Sequence, residues 1–393
     1  MSNLKLLFVM EVFSGLSRGS YLICIGWSTL IVTNEVSRVG QAFIVAMLTT
    51  LLSGAFVGTI VDRHDRKHLV IFSHLGIALC LLLLGLVWVP GAVPNILWLF
   101  AGVAAASALR MMHNASHDGL IQSVVTKAQT INTVARFRAV HLTATAIGTV
   151  LAGYIIERFS APAGFVLSAA ASLLLILPMV FFKSSGPVGG GTQRGTFLSD
   201  LRGGAAIFAA SRPVRLLALL AAVSLPVGQL ANAILSSFIR DDLGRGSTAF
   251  GIVDSAWPVG GMLAAGLLSL GIRQLTARNA EYLFALLAGL ATIGLSLCTT
   301  IPMLVLLHGV MGMAVWLCRI VIDGRILEIC APENIGRTKV GVEMAFSVSA
   351  LVMCLSPTLV ALPSTAWYFT FWGAVMAATS ALIWSVDKAR QTG

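Results

Sequence analysis

The sequence predicts an all-α membrane protein with twelve transmembrane helices in two pseudo-symmetric six-helix bundles. Three observations predict it: an apolar composition, the spacing of the apolar stretches, and the placement of positive charge. Of 393 residues, 57% are hydrophobic and 11% charged, with a mean hydropathy of +0.90. A soluble domain carries roughly a quarter charged residues to cover its surface, so lipid replaces water around much of this chain. A crossing needs about 20 apolar residues, and twelve crossings use most of the length.

The apolar stretches run over 5–33, 39–61, 69–90, 95–123, 131–156 and 161–182, then 213–239, 249–271, 281–298, 302–328, 338–362 and 365–386. The first is too long for the apolar region of a signal peptide and has no clean small-x-small cleavage site, so it reads as a membrane helix. Between the sixth and seventh lies 184–212, with Gly186-Pro187-Val188-Gly189-Gly190-Gly191 and several basic residues. That composition is a flexible linker, dividing an N-terminal bundle (1–183) from a C-terminal one (213–393). An amphipathic piece over Phe197–Ala210 is expected on the membrane surface.

The net charge of +10 is distributed in a way that tests this layout. With both termini inside, the cytoplasmic segments hold Arg63, Arg66 and Lys67, the basic residues from Lys183 to Arg215, then Arg273, Arg278, Arg337, Lys339 and the tail. Only Arg38, Arg158, Arg240 and Arg245 fall outside. This is a positive-inside bias, and it predicts a multi-pass protein of the cytoplasmic (inner) membrane with both termini in the cytoplasm. Trp88, Trp98, Trp257, Trp367 and Trp372 flank the outer loops, as interfacial aromatics do.

Several classes are disfavoured. The basic residues are dispersed over inner loops, so nucleic acid is not expected as a partner. The six cysteines (Cys24, Cys80, Cys298, Cys318, Cys330, Cys354) have neither pairing nor metal spacing and read as packing residues. No His-Glu-x-x-His motif is present. An enzyme is therefore not expected, nor a metal or cofactor.

An internal repeat is visible. Helix 4 ends His117-Asp118-Gly119-Leu120-Ile121 and helix 10 ends Ile322-Asp323-Gly324-Arg325-Ile326. The same separation of 205 residues carries Asp118 to Asp323 and Arg138 to Glu343. Duplicated halves are the architecture that alternating access uses.

The loop after helix 2 reads Gly58-Thr59-Ile60-Val61-Asp62-Arg63-His64-Asp65-Arg66-Lys67. It resembles the major facilitator superfamily signature Gly-x-x-x-Asp-Arg-x-Gly-Arg-Arg/Lys, with Asp65 in place of the usual glycine. The resemblance extends to helix count, central loop and repeat. It implies secondary active transport and a conformational latch made of Gly58, Asp62, Arg63 and Arg66, with Arg66 pairing to Asp118. The matching loop of the second half, Gly266 to Arg278, has Leu270 where the acid would be. Helix 5 carries Gly148-Thr149-Val150-Leu151-Ala152-Gly153, similar to a worn Gly-Pro-x-x-Gly-Gly element of proton-coupled exporters. Arg110-Met111-Met112-His113-Asn114 is imperfectly similar to their Arg-x-x-Gln-Gly element.

A charge at the bilayer centre costs at least about 2.5–3.5 kcal/mol, so intramembrane charges need a wet cavity or a partner. The resemblance implies that helices 1, 4, 7 and 10 line the cavity, making Arg18, Tyr21, Arg110, His113 and Asn114 candidate substrate contacts. Arg18 also suits a structural pairing with Glu11, seven residues earlier on the same face. Arg110, His113 and His117 share one face of helix 4, where the histidines equally suit interhelical packing. Burial disfavours the charged carboxylate, so Glu11, Asp323 and Glu343 are candidate proton carriers. Arg319 and Asp323, four apart, read mainly as a mutually neutralising pair, and Arg138 with Glu343 as a gate across the pseudo-twofold axis. Asp254 reads as a solvated residue at the outer end of helix 8.

Taken together, these residues predict proton-coupled antiport that exports a small organic anion, such as a siderophore or drug. The protein is expected to act as a monomer, with the substrate and the bilayer as its partners and the proton gradient as its energy source. A symporter or facilitator importing a nutrient or iron chelate is the alternative, and a lipid flippase is a further one.

Overall fold

The computed structural model describes residues 2–86, 95–124, 130–183, 211–330 and 332–389. Residues 184–210 of the expected linker, including Phe197–Ala210, and Trp88 lie outside these residues; the linker's last residue, Arg212, opens a helix. Among them every regular element is helical. Six helices form the first half: α1 (Asn3–Thr33), α2 (Val36–Arg63), α3 (Arg66–Leu86), α4 (Ile96–Val124), α5 (Thr130–Arg158) and α6 (Ala161–Phe181). The second half has α7 (Arg212–Ser224), α8 (Val227–Ser237), α9 (Ser247–Ser269), α10 (Ala280–Ser296), α11 (Ile301–Ile329), α12 (Pro332–Leu359) and α13 (Ala366–Ala389). Pro226 separates α7 from α8, which together make one span over Arg212–Asp242. Eleven helices among the described residues are long and apolar enough to cross a membrane, and the 17-residue α10 is a shorter apolar helix.

The contacts group the chain into two units. Met1–Gln193 with Gly244–Ser255 form the first, and Arg194–Leu243 with Ala256–Gly393 form the second. In the first, α1 is the central helix, packed on α5 and α6. Its seam with α5 is made of small residues: a Cβ at Gly15 or Gly19 would meet the carbonyls of His141 and Thr145, and one at Gly148 that of Leu16. Backbones approach this closely only where side chains are missing, which is how helices associate when lipid supplies no hydrophobic drive. Against α6, Ser17 Oγ lies 2.8 Å from Ser172 Oγ, and Ser168 Oγ donates to the Ser17 carbonyl at 2.9 Å.

The two ends of the first half meet. Asn3 Nδ2 donates to the Lys183 carbonyl at 2.9 Å and Lys183 N donates to Asn3 Oδ1 at 3.2 Å. The α2–α3 loop is at the same end, because Lys67 Nζ donates to the carbonyls of Val180 and Phe182 at 2.9 and 2.7 Å. An even number of crossings between Asn3 and Lys183 satisfies both facts.

The second unit ties α10 to α13 through Gly289 and Gly373 and α10 to α11 through Thr292, whose Oγ1 lies 3.2 Å from Met311 Sδ. Trp257, expected at an interface, is half-buried here. Its ring fills the space beside Gly228 and lies 5.8 Å from the His308 ring.

The repeat shows a reversal in its hydrogen bonds. In the first half the loop arginine, Arg66, donates to the carbonyl of Gly119 on α4 at 2.9 Å. In the second half the arginine is on the helix: Arg325 of α11 donates to the loop carbonyls of Thr276 and Ala277 at 3.2 and 3.1 Å. The same loop-to-helix tie is made from opposite sides.

Candidate functional site

The first unit gathers ionisable side chains from α1, α3, α4 and α5 into its interior. Glu11 is at the centre and only 6% exposed. His117 Nε2 of α4 lies 3.0 Å from its Oε1, and His141 Nδ1 of α5 lies 2.8 Å from its Oε2. A carboxylate with an imidazole on each oxygen forms an ion pair whenever one ring is protonated, and this is how a buried charge is compensated. The expected Glu11–Arg18 pairing is not the arrangement found. Glu11 turns to the histidines of α4 and α5, which the close α1–α5 seam brings within reach.

The histidines continue inward. The His113 ring stacks on that of His117 with centroids 5.5 Å apart and an interplanar angle of 8°. His113 Nδ1 lies 3.1 Å from Nε2 of His74 on α3, and His113 Nε2 lies 3.4 Å from Ser14 Oγ. One of the two facing nitrogens must carry the proton and the other must accept it, so the tautomer of His113 fixes that of His74. His113, expected to contact substrate, is therefore occupied by internal partners. Asn114 is exposed and outside the cluster, because one residue advances a helix by about 100°.

One turn towards the N-terminus of α4, Arg110 is 8% exposed. Its Nη2 reaches the Ser17 hydroxyl and carbonyl at 3.3 and 3.4 Å, and its guanidinium carbon lies 4.4 Å from the Tyr21 ring centroid. A desolvated cation–π contact is worth about 2 kcal/mol, which falls short of replacing a counter-ion. Nε of Arg110 has no hydrogen-bond partner and no carboxylate pairs with the group among the described residues. Tyr21 is 1% exposed, and its hydroxyl lies 3.4 Å from Ser107 Oγ and the Val103 carbonyl. Tyr21 therefore holds Arg110 in place. Arg18, on the same stretch of α1, is exposed and within electrostatic range of Arg110. It too has no ion pair or hydrogen bond among the described residues. Two cations thus share one region without an anion.

The remaining candidates are elsewhere. Arg319 pairs with Glu343 on α12, with side chains 36% and 54% exposed. The expected Arg319–Asp323 pair is replaced by this one, and Glu343 has its partner inside its own half instead of Arg138. Asp323 is half-buried and Arg138 is exposed. In the latch sequence, Arg66 meets the Gly119 carbonyl instead of the exposed Asp118 carboxylate. It lies where a Gly119 Cβ would stand. Gly58 is half-buried and Arg63 exposed, and Asp62 is the penultimate residue of α2. Asp65, the departure from the family pattern, accepts from Lys67 N at 2.8 Å and so caps the start of α3.

Sequence reasoning left out His74 and assigned neither His117 nor His141 to Glu11, because a histidine in an apolar helix does not reveal its partner. It also missed Glu157, whose Oε2 accepts from Thr248 N at 2.7 Å at the start of α9. All six cysteines are free, and no group of metal-ligand geometry occurs among the described residues.

The fold recurs in solved transporters. The chain is similar to the nucleoside transporter NupG, with a TM-score of 0.79 and 14% identity over 99% of this chain and 100% of that one. A POT family transporter in complex with 5-aminolevulinic acid gives 0.72 and 13%, over 97% and 95%. A bacterial homolog of the human lysosomal transporter Spinster, inward-facing and unoccupied, gives 0.68 and 13%, over 97% and 94%. None of the curated proteins compared matches it in sequence. The family profile described as Major Facilitator Superfamily matches residues 7–322. With that match over most of its length, the chain belongs to the major facilitator superfamily and is a non-enzymatic membrane transporter.

Proposed function

We propose that the protein is a proton-coupled antiporter that exports a small organic anion, of the siderophore or drug-like class, through the inner membrane. Its substrate carries a carboxylate or phenolate that pairs with Arg18 and Arg110, and Glu11 with its two histidines takes up the proton. The protein works as a monomer with no bound cofactor, its 1–183 and 213–393 bundles joined by a cytoplasmic linker.

The observation that carries this reading is the arginine pair without an acid. The buried Arg110 charge, left uncompensated, costs several kcal/mol, and a transport site recovers that cost when its anionic cargo arrives. Import of a nutrient or iron chelate is the second reading. What favours it is the packing of α5: Gly148 fits against α1 and Gly153 against the start of α9, so close helix contact accounts for both glycines without fixing a direction.

The test is flux into and out of proteoliposomes under an imposed proton gradient, with labelled mono- and dicarboxylates and a catecholate as probes and neutral nucleosides as the comparison. Protons moving in should drive an anion out. Arg110→Ala should reduce anion flux about tenfold or more, the equivalent of a lost charge-assisted hydrogen bond of ~1.5–3 kcal/mol. Neutral nucleosides carried equally by the wild type, Arg18→Ala and Arg110→Ala, with no anion moved, would overturn the anion reading.

A further inference from the structure

Asp254 was expected at a wet helix end, yet it lies two turns inside α9 and is 9% exposed. The start of α9 presses against α5. Ser247 Oγ donates to the Gly153 carbonyl at 2.9 Å, and Gly251 has no room for a Cβ beside Thr149. Towards α1, Phe250 stacks on Trp27 with centroids 6.1 Å apart and planes at 23°. By helical spacing Asp254 shares its face with Phe250, Gly251, Trp257 and Pro258. All four are apolar.

Among the described residues its carboxyl has no hydrogen bond and no ion pair. The ionisable groups on the elements around it are few. On α1, Cys24, Tyr21 and Arg18 are three, six and nine residues before Trp27, and on α5 Tyr154 and Arg158 are exposed while Glu157 is taken by Thr248 N. Further along α9, the Trp257 ring lies 5.8 Å from that of His308.

A second feature singles out this position. Pro258 lies inside α9, four residues on. Proline has no N–H, so the helical bond that would end on the Asp254 carbonyl is missing. The same residue therefore presents an unpaired carboxyl and a backbone acceptor freed from the ladder.

We propose that Asp254 is a proton-binding site of the transporter. A buried carboxylate with neither cation nor donor is untenable in an apolar interior. The buried carboxyl keeps its proton. When water reaches the site the proton passes to water, leaving a hydrated carboxylate and a hydronium ion, and uptake is the reverse. Two carboxyl oxygens and one carbonyl are too few for a hard metal cation, which takes six or more oxygen ligands. The proposal rests on the proton-coupled part of the functional reading. Because its test uses no substrate, failure here leaves the anion site at Arg18 and Arg110 standing.

The experiment is pH-difference infrared spectroscopy of the full chain in lipid nanodiscs, unlabelled and with carboxyl-labelled aspartate. The wild type should show a protonated-carboxyl band that shifts with the aspartate label and disappears on alkalinisation. Asp254→Asn should lose that band and bind about one proton fewer per chain. Asp254→Glu, which keeps the carboxyl and so the fold, should show a band that no longer responds to the label. Replacing potassium by sodium should change none of this. A wild-type band in Asp254→Asn, a labelled band persisting in Asp254→Glu, or displacement of the band by sodium at constant pH would each overturn the assignment. If Asp254→Asn does not fold, the label and Asp254→Glu decide the matter by themselves.

Discussion

His141 on α5 stands with its Nδ1 2.8 Å from Oε2 of Glu11 on α1, across a seam so close that glycines must line it. The carboxylate's other oxygen faces His117 of α4. One acid therefore ties three helices, and the tie exists only because α1 and α5 touch backbone to backbone. This cluster yields the first prediction.

Glu11→Ala removes the anion that His117 and His141 both face, and breaking a buried pair costs about 3–5 kcal/mol. Its unfolding midpoint in detergent should drop clearly, while Glu11→Gln, which still accepts a hydrogen bond, should lose less. Equal midpoints for Glu11→Ala and the wild type would show that the cluster does not hold the helices together.

Arg110 should behave in the opposite way. Replacing a buried ion pair by apolar side chains is often neutral or stabilising by about 1–4 kcal/mol, and Arg110 has no partner charge to leave stranded. Arg110→Met should unfold at or above the wild-type temperature while losing anion transport. A large destabilisation would make Arg110 a structural residue.

The two repeat glycines should respond differently to the same substitution. Gly119→Ala puts a methyl where the Arg66 guanidinium lies, so the flexible end of that arginine must move and its bond to the Gly119 carbonyl is lost, a net cost of about 0.5–1.5 kcal/mol. Gly324, the equivalent position, has open space around it, so Gly324→Ala should stabilise α11 by up to about 1 kcal/mol through helix propensity. Thermal melts of the two variants test the asymmetry directly.

Glu157 satisfies an amide at the start of α9 that the helix itself leaves unpaired. Glu157→Ala should cost about 0.5–2 kcal/mol, the range for a lost cap, and speed hydrogen exchange at the Thr248 amide. Glu157→Gln, which keeps the acceptor, should protect that amide nearly as well as the wild type. Unchanged exchange in Glu157→Ala would remove the cap from the account.

The fold was legible because it depends on quantities that add along the chain. Apolar length sets the crossings, and Pro226 breaks the seventh span without ending it, so the helix count survives local irregularity. The site was legible only in part. The spacing of Arg110, His113 and His117 put them on one face, and all three are buried together. Spacing along one helix says nothing about what the facing helix presents. Arg319 has an acid four residues away in Asp323, yet it turns to Glu343, which is distant in sequence and adjacent in space. Likewise only the structure shows what the Asp65 departure from the family pattern does, which is to cap α3.

By itself, the sequence determined that the chain lives in lipid, how often it crosses, and which charged residues have to be accommodated within the crossings. Tertiary structure alone decided which charges are paired and which are left over. Glu11 was given two histidines, Arg18 and Arg110 were left without an acid, and Asp254 was enclosed without a cation. The physical reason is that burying a charge costs the same wherever it lies in the chain, whereas the partner that offsets the cost is chosen by whichever helix packs alongside.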